Sequence, residues 1–252
     1  SSTLPSGVDT QAKLQALADT AIAGIGNALN RISTAAEQNT ASNGAGALPA
    51  LSAGDYAKAG VTGVDASILA AINSALDSAP VSGLLADSTA KVQAIVDAYK
   101  AILAEANGSA PDATPGSNPA LAQYQTIGAA LGTAASSTAG LHLLDDVIGN
   151  KVAADVDTIA EINNLAAVVN KVMLTAADTP PAVALSISDL AALGLDMTGV
   201  TNANMTGLRA SIAATVNSGD AVDTVAKLQA LITALDKVAP TLAGASPVDE
   251  AA

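Results

Sequence analysis

The chain of 252 residues contains the ten-residue sequence Val222-Asp223-Thr224-Val225-Ala226-Lys227-Leu228-Gln229-Ala230-Leu231. Related sequences of the same length occupy residues 8–17, 86–95 and 156–165, and we call all four copies the ten-residue motif. Gapless copies at separated positions are typical of a repeat protein. The apolar residues of each copy recur three or four positions apart, which predicts a helix. We expect the aspartate of each copy to cap that helix at its start, at Asp9, Asp87, Asp157 and Asp223.

The first copy opens a long helix, predicted over about residues 9–35, which Asp9 or Thr10 can cap. One helical face is apolar, because large side chains follow at spacings of three or four: Leu14, Leu17, Ala21, Ile25, Leu29 and Ile32. Residues 1–7 form a lead-in, and residues 38–50, rich in Asn, Ser, Gly and Ala, form a loop. We therefore interpret this helix as the unpaired third helix of a unit whose first part is missing or shortened.

Two further anchors define the repeating unit. Residues 185–194 align without gaps on residues 51–60, and both segments carry a Ser and an Asp three residues apart, the spacing of a capping box. Each segment ends at a glycine, which can stop a short helix in a left-handed conformation. The distance from Val64 to Asp87 equals that from Val200 to Asp223. These anchors predict one short helix, a middle helix and the helix of the ten-residue motif in every unit.

The predicted domain organisation follows the anchors and the proline-rich segments between them. It comprises an opening helix and loop (1–50), a first repeat (51–106), a Pro/Gly linker (107–119), a second repeat (120–175), a second linker (176–184) and a third repeat with a tail (185–252). The predicted fold class is all-α, with tandem three-helix bundles that can stack into an elongated rod. A lone bundle of about 56 residues buries a smaller fraction of its surface than a larger domain does, so stacking or a second chain would cover its remaining apolar faces.

Composition supports helices and excludes several classes of partner. Half of the residues are hydrophobic, yet the chain has no Phe, Trp or Cys and only three Tyr, which favours thin Ala-rich bundles over a β-sandwich. Tyr56 and Tyr124 occupy the repeat position that Leu190 fills in the third unit, which indicates a packing position. The net charge is −13, and the ten basic residues are scattered. Nucleic acids and anionic membranes require a basic patch, so neither is an expected partner.

Other sequence features concern disulfides, membrane insertion and processing of the chain. The lack of Cys excludes disulfides and thiolate chemistry. No apolar run reaches the roughly 18 residues of a membrane span, so no membrane insertion is expected. With no initiator Met and no signal peptide, we expect the chain to be a processed product or a piece of something longer.

Few residues are candidates for catalysis or for binding calcium or phosphate. His142 is the only histidine, and no nucleophile motif surrounds it, so we interpret it as a helix-surface or interface residue. Asp145-Asp146 and Asp155-Val156-Asp157 are weak calcium candidates without an EF-hand loop, and Asp157 already has a capping role. Gly44-Ala45-Gly46 lacks the rest of a phosphate-binding motif. We therefore predict no enzyme, no catalytic residue, no metal ligand and no cofactor.

The segments Leu51–Ile102 and Leu185–Leu235 resemble the small three-helix repeats of very large bacterial surface proteins and type I-secreted adhesins. The shared features are the Ser-x-x-Asp-[Tyr/Leu]-Ala start, the Gly-[Val/Leu] stop and the Asp-Thr-x-Ala-Lys-Leu-Gln-Ala-Leu helix. The segments are also distantly similar to albumin-binding and matrix-binding three-helix modules of Gram-positive surface proteins. The resemblance implies spacer, adhesive or self-assembling roles outside the cell. The chain lacks the calcium-binding β-domains and secretion signal of a whole adhesin.

The leading hypothesis is a non-enzymatic extracellular or cell-surface structural protein that self-associates as a fibre, surface-layer or adhesin component. In its sharper form, the opening helix completes a bundle in a neighbouring subunit, and such a head-to-tail contact grows a filament if its rotation does not close. The alternative is a protein-binding helical module of a larger adhesin, with a host or matrix protein as its partner. A carrier of apolar ligands would need a cavity lined by large side chains, which the scarcity of aromatic residues and Met disfavours.

Overall fold

The structure is a computed structural model that describes residues 10–42, 49–108, 118–179 and 181–243, with the side chains of all but residues 236–243. In these ranges the protein is helical and has no β-strand, which confirms the all-α prediction. Two short 3₁₀ helices (Gly83–Leu85 and Ala153–Asp155) accompany the α-helices. The α-helices are α1 Gln11–Gln38, α2 Ala53–Lys58, α3 Leu69–Leu76, α4 Thr89–Glu105, α5 Leu121–Thr126, α6 Thr138–Gly149, α7 Ile159–Ala176, α8 Ile187–Ala192, α9 Asn202–Ala213 and α10 Val225–Ala243.

Contacts along the chain divide it into two compact units. The first takes in the described residues of Ser1–Lys100 together with Gln125–Ala129 and Asp157–Ile159. The second takes in those of Ala101–Tyr124, Ala130–Val156 and Ala160–Ala252. The six-segment division made from the sequence stays a prediction, and most of its first linker lies outside the described residues.

The ten-residue motif opens a helix in every copy. Thr10, one of the two caps predicted for α1, is confirmed, whereas the caps predicted at Asp87 and Asp223 are wrong by one residue. The hydroxyl groups of Thr10, Ser88 and Thr224 accept the backbone N–H three residues later, at 3.2, 3.4 and 3.2 Å. The aspartates before two of these caps instead pair with the lysine four residues on, Asp87 with Lys91 and Asp223 with Lys227. A Ser or Thr hydroxyl is compact enough to reach the free N–H groups, which releases the carboxylate for the lysine.

The capping boxes of the short helices are confirmed. The backbone N–H of Ser52 donates to Asp55 over 2.8 Å, and that of Ser186 donates to Asp189 over 2.8 Å. The glycines that follow both helices have left-handed backbones, with φ of 75° at Gly60 and 89° at Gly194. Only glycine adopts this conformation without strain, so both short helices stop where the pattern predicted.

A local turn at Asp65 precedes the middle helix of the first repeat, α3. The carboxylate of Asp65 accepts the N–H of Ser67 over 2.8 Å and so closes a turn, and α3 begins only at Leu69. The short Asp side chain bonds its own local backbone in such turns, in competition with capping a helix. Ile72 and Leu76 form the buried face of α3.

A side-chain amide at one position of the motif fastens a loop in each later copy. Gln93, Asn163 and Gln229 accept the backbone N–H groups of Thr62, Ala130 and Asp196 at 2.7–2.8 Å. Each of these loop residues lies two positions after the glycine that ends a short helix. The amide nitrogens of Gln93 and Gln229 also donate back to the same loop residue. A recurring pair of hydrogen bonds therefore fixes where the chain leaves each short helix.

The sequence predicted that the opening helix, α1, is unpaired. This prediction is wrong for the C-terminal part of α1. Its C-terminal part packs against α2 and the 3₁₀ helix Gly83–Leu85, and Ile32, Ala35 and Ala36 are buried there. Arg31 forms an ion pair with Asp55, a carboxylate already held in the capping box of α2. The periodicity of one helix cannot show which neighbour covers which part of its length, so this contact was not foreseen.

The half-buried cap of α8 makes stability depend on pH. Burial raises the pKa of Asp189, but hydrogen bonds from Lys171 and Ser186 outweigh burial, so the net pKa lies below the usual value for Asp. A carboxyl whose pKa is lowered by folding stabilises the protein above its unfolded pKa of about 3.9, and that contribution disappears as the pH falls through the lowered value.

We expect Asp189→Asn to lower the free energy of unfolding by about 1–2 kcal/mol at pH 7, because it removes the Lys171 ion pair and weakens the capping box. The difference from the unsubstituted protein should shrink as the pH falls below about 3.9 and through the lowered pKa of Asp189, as measured by urea unfolding followed by circular dichroism. The control is Asp87→Asn, which removes the exposed Lys91 pair and should change stability by less than about 0.5 kcal/mol. Equal effects of the two variants at pH 7 would contradict this assignment.

Candidate interaction surface

His142 lies on α6 with 55% of its side chain exposed, and its Nδ1 is 3.8 Å from a carboxylate oxygen of Asp223. Such an exposed contact contributes little stability even when the imidazole is protonated. His142 therefore lies on the helix surface, which is one of the two positions predicted for it. A role of His142 at an interface stays a prediction.

The acidic residues near His142 bind groups of the protein itself. Asp145 is buried and accepts the hydroxyl of Tyr124 over 2.6 Å, and Asp146 accepts the backbone N–H of Val225 over 2.6 Å. Asp155 accepts the backbone N–H of Val152 over 3.3 Å. Across the described ranges, no group of three or more His, Cys, Asp or Glu residues is arranged to hold a metal ion. Gly44-Ala45-Gly46 lies outside those ranges.

Two middle helices carry a polar pair that sequence analysis missed. In α3, Asn73 accepts the hydroxyl of Tyr56 over 2.5 Å, just as Asp145 of α6 does with Tyr124. Burial raises the pKa of both tyrosines well above the usual value, with nearby carboxylates adding to the effect, so both hydroxyls remain donors. The available signal was a polar residue inside an otherwise apolar helix.

The second residue of each polar pair, Ser74 or Asp146, accepts a hydrogen bond from the start of a motif helix that lies far along the chain. Ser74 Oγ accepts the backbone N–H of Ile159 over 2.9 Å, and Asp146 accepts that of Val225 over 2.6 Å. Ile159 and Val225 hold the same position of the ten-residue motif. A middle helix thus accepts an otherwise unsatisfied N–H from the first turn of a later helix, and the same contact occurs twice in one chain.

The N-terminal part of α1 is an exposed apolar surface without a described partner. Every residue from 10 to 27 is exposed, and Leu14 and Leu17 are 51% and 52% exposed. The counterparts of Leu14 in the other copies, Val92, Ile162 and Leu228, are buried, and those of Leu17 are buried or half-buried. The first copy of the motif therefore exposes the face that the other three copies bury.

No described helix is both long enough and apolar enough to cross a lipid bilayer. Comparison with known proteins found no protein family, no curated protein and no solved structure that matches this chain. The assignment of function therefore depends on the residues and contacts described above.

Proposed function

We propose that this chain is a non-enzymatic structural protein of the cell exterior, built of tandem three-helix repeats that associate with further copies into a fibre or surface layer, or within an adhesin. The extracellular location rests on the resemblance of the short-helix start and the ten-residue motif to repeats of bacterial surface proteins.

Recurring contacts support the three-helix repeat. The amide position of the motif, at Gln93, Asn163 and Gln229, binds the loop after a short helix in all three later copies. The tyrosine of the short helix bonds the middle helix in two of them. Contacts at equivalent positions indicate that equivalent sequences fold into equivalent units.

The observation that carries the proposed self-association is the exposed apolar face of α1. Fully burying one leucine side chain contributes about 1.5–3 kcal/mol relative to its exposed state, so covering Leu14 and Leu17, each half exposed, is favourable. In the other three copies this face is buried, and the last motif helix, α10, packs against the middle helices α9 and α6. A second copy of the chain carries surfaces of the same kind, and a contact between unlike surfaces of two copies propagates into a filament unless it closes into a ring.

The test is the double variant Leu14→Ser/Leu17→Ser, compared with the unsubstituted chain by negative-stain electron microscopy and light scattering over a concentration series, with and without calcium. We expect ordered filaments or sheets from the unsubstituted chain and none from the variant, with the helix content of both unchanged. Deleting residues 1–40 would be a poorer test, because it also removes the buried residues Ile32, Ala35 and Ala36.

The matched control is Leu84→Ser/Leu85→Ser, which removes two exposed leucines from the 3₁₀ helix, where they are 74% and 51% exposed. This control should still assemble. Assembly that survives the α1 substitutions, or that both double variants abolish, would contradict the role of the α1 face. Isolated particles at every concentration would reject self-association and favour the alternative, a module that binds a host or matrix protein.

A further inference from the structure

The second of the two compact units contains a cavity of about 300 Å³. The cavity lies between the segment that leads into α8 and the C-terminal half of α9. Its walls are largely apolar and small, formed by Ala184, Leu185, Ala210 and Ala213. One cation, Arg209, also lines the cavity. The carboxylate of Asp178 is the other charged group at this site. A concave, mostly apolar site with a few polar groups is the usual form of a small-molecule site.

The first repeat carries a carboxylate at a position that lines this cavity in the third repeat. There the carboxylate of Asp77, at the end of α3, accepts the backbone N–H groups of Ala41 and Ser42 at 2.6 and 2.9 Å. These bonds fasten the segment between α1 and α2 to the middle helix. The alignment of Val64 with Val200 places Ala213 at the position of Asp77. The third repeat therefore lacks the carboxylate that binds the preceding segment in the first repeat.

A second substitution places a cation where the first unit has an amide. Arg209 aligns with Asn73, which bonds Tyr56 and the carbonyl of Leu51, and the tyrosine is replaced by Leu190. The Nε of Arg209 is buried and has no hydrogen-bond partner in the described part of the chain. A desolvated guanidinium N–H without an acceptor is unfavourable, so this atom favours an anionic partner.

We propose that this cavity binds a small aliphatic carboxylate, whose carboxyl group pairs with Arg209. The aliphatic chain packs against the alanine and leucine side chains of the wall. The guanidinium presents two parallel N–H groups, which match the two oxygens of a carboxylate. Inorganic anions such as sulfate would lose their hydration against these apolar walls without compensation. The inference does not depend on self-association.

The chain offers a direct readout, because Arg31 and Arg209 are its only arginines. The two side-chain Nε–H resonances are followed by ¹H–¹⁵N NMR while acetate, butyrate or hexanoate is added, with hexanamide as the uncharged control. We expect saturable movement of the Arg209 resonance with carboxylates and none with the amide. The affinity should rise up to about fourfold for each methylene buried. The Arg31 resonance, paired with Asp55, should not move.

Substitutions at α9 test the proposed geometry. Arg209→Gln should abolish hexanoate binding measured by calorimetry. Ala213→Asp supplies an internal carboxylate at the position of Asp77, so it should move the Arg209 resonance without ligand and weaken hexanoate binding at least tenfold. The matched control is Ala214→Asp, which adds the same charge at the exposed next residue and should leave binding within about twofold of the unsubstituted chain, since exposed charges are strongly screened.

Several results would overturn the proposal. These are equal responses to hexanoate and hexanamide, binding retained by Arg209→Gln, or equal weakening by the two aspartate substitutions. Asp178 also lines the cavity and is the competing internal partner. If Asp178→Asn alone moves the Arg209 resonance and the unsubstituted chain shows no saturable carboxylate response, the arginine serves an internal ion pair and the ligand site is rejected. The titration of the unsubstituted chain decides the question even if Arg209→Gln does not fold.

Discussion

Replacing Gly140 by alanine should lower the free energy of unfolding by about 3 kcal/mol, the upper part of the usual range for an overpacked site. A Cβ atom at Gly140 would lie 2.4 Å from the carbonyl oxygen of Ala134 and 2.7 Å from the Cα of Ala135. Both are backbone atoms, which cannot rotate away as the end of a side chain can. The segment that leads into α6 would have to move, together with the Ser137 hydroxyl that accepts the Gly140 N–H.

The control is the same substitution at Gly24 in α1, where nothing lies within 4 Å of the added atom. Alanine favours a helix interior over glycine by about 1 kcal/mol, so Gly24→Ala should stabilise α1. Urea unfolding followed by circular dichroism measures the first effect, and amide hydrogen exchange in α1 measures the second. A stabilised Gly140→Ala protein would show that α6 does not start against residues 134–135.

The second large effect is expected for Tyr124→Phe, which should lower the free energy of unfolding by about 2–3 kcal/mol. The tyrosine is fully buried, and its hydroxyl donates to the buried carboxylate of Asp145 over 2.6 Å. Phenylalanine fills the same space but removes this donor. Hydrogen bonds to charged acceptors contribute about 1.5–3 kcal/mol, and a desolvated carboxylate loses more than the bond when its donor is deleted.

Tyr56→Phe is the matched control, because its hydroxyl donates to the neutral amide of Asn73 in an equally buried site. We expect a loss of about 1 kcal/mol there. Thermal unfolding of both variants at pH 7 tests the ranking. Equal losses would mean that the charge of the acceptor does not matter in this core, and a larger loss at Tyr56 would reverse the assignment.

Local features of the fold were predictable from the sequence. The capping boxes at Ser52 and Ser186 and the left-handed glycines after them depend on a few neighbouring residues, so the sequence pattern contains all the required information. The apolar face of the motif helices also follows from spacing alone, as the burial of Val92, Ile162 and Leu228 shows.

The missed features depend on residues far apart in the chain. The contact of α1 with α2 requires knowledge of which element folds back, and so does the acceptance of the Ile159 N–H by Ser74. The cavity beside Arg209 was missed because no local pattern marks the loss of a carboxylate at Ala213. It became recognisable only when the bonds of Asp77 showed what that position does in another repeat.

The long-range hydrogen bonds of α3 and α6 join residues that the ribosome adds to the chain at different times. Ser74 is made 85 residues before the N–H that it accepts, and Asp146 is made 79 residues before its donor. At about 5–20 residues per second, each acceptor emerges on the order of 4 to 17 s before its donor. The middle helices α3 and α6 are therefore synthesised several seconds before the later helix that donates to them. The nascent chain completes these contacts in order from the N-terminus, as each later motif helix leaves the ribosome.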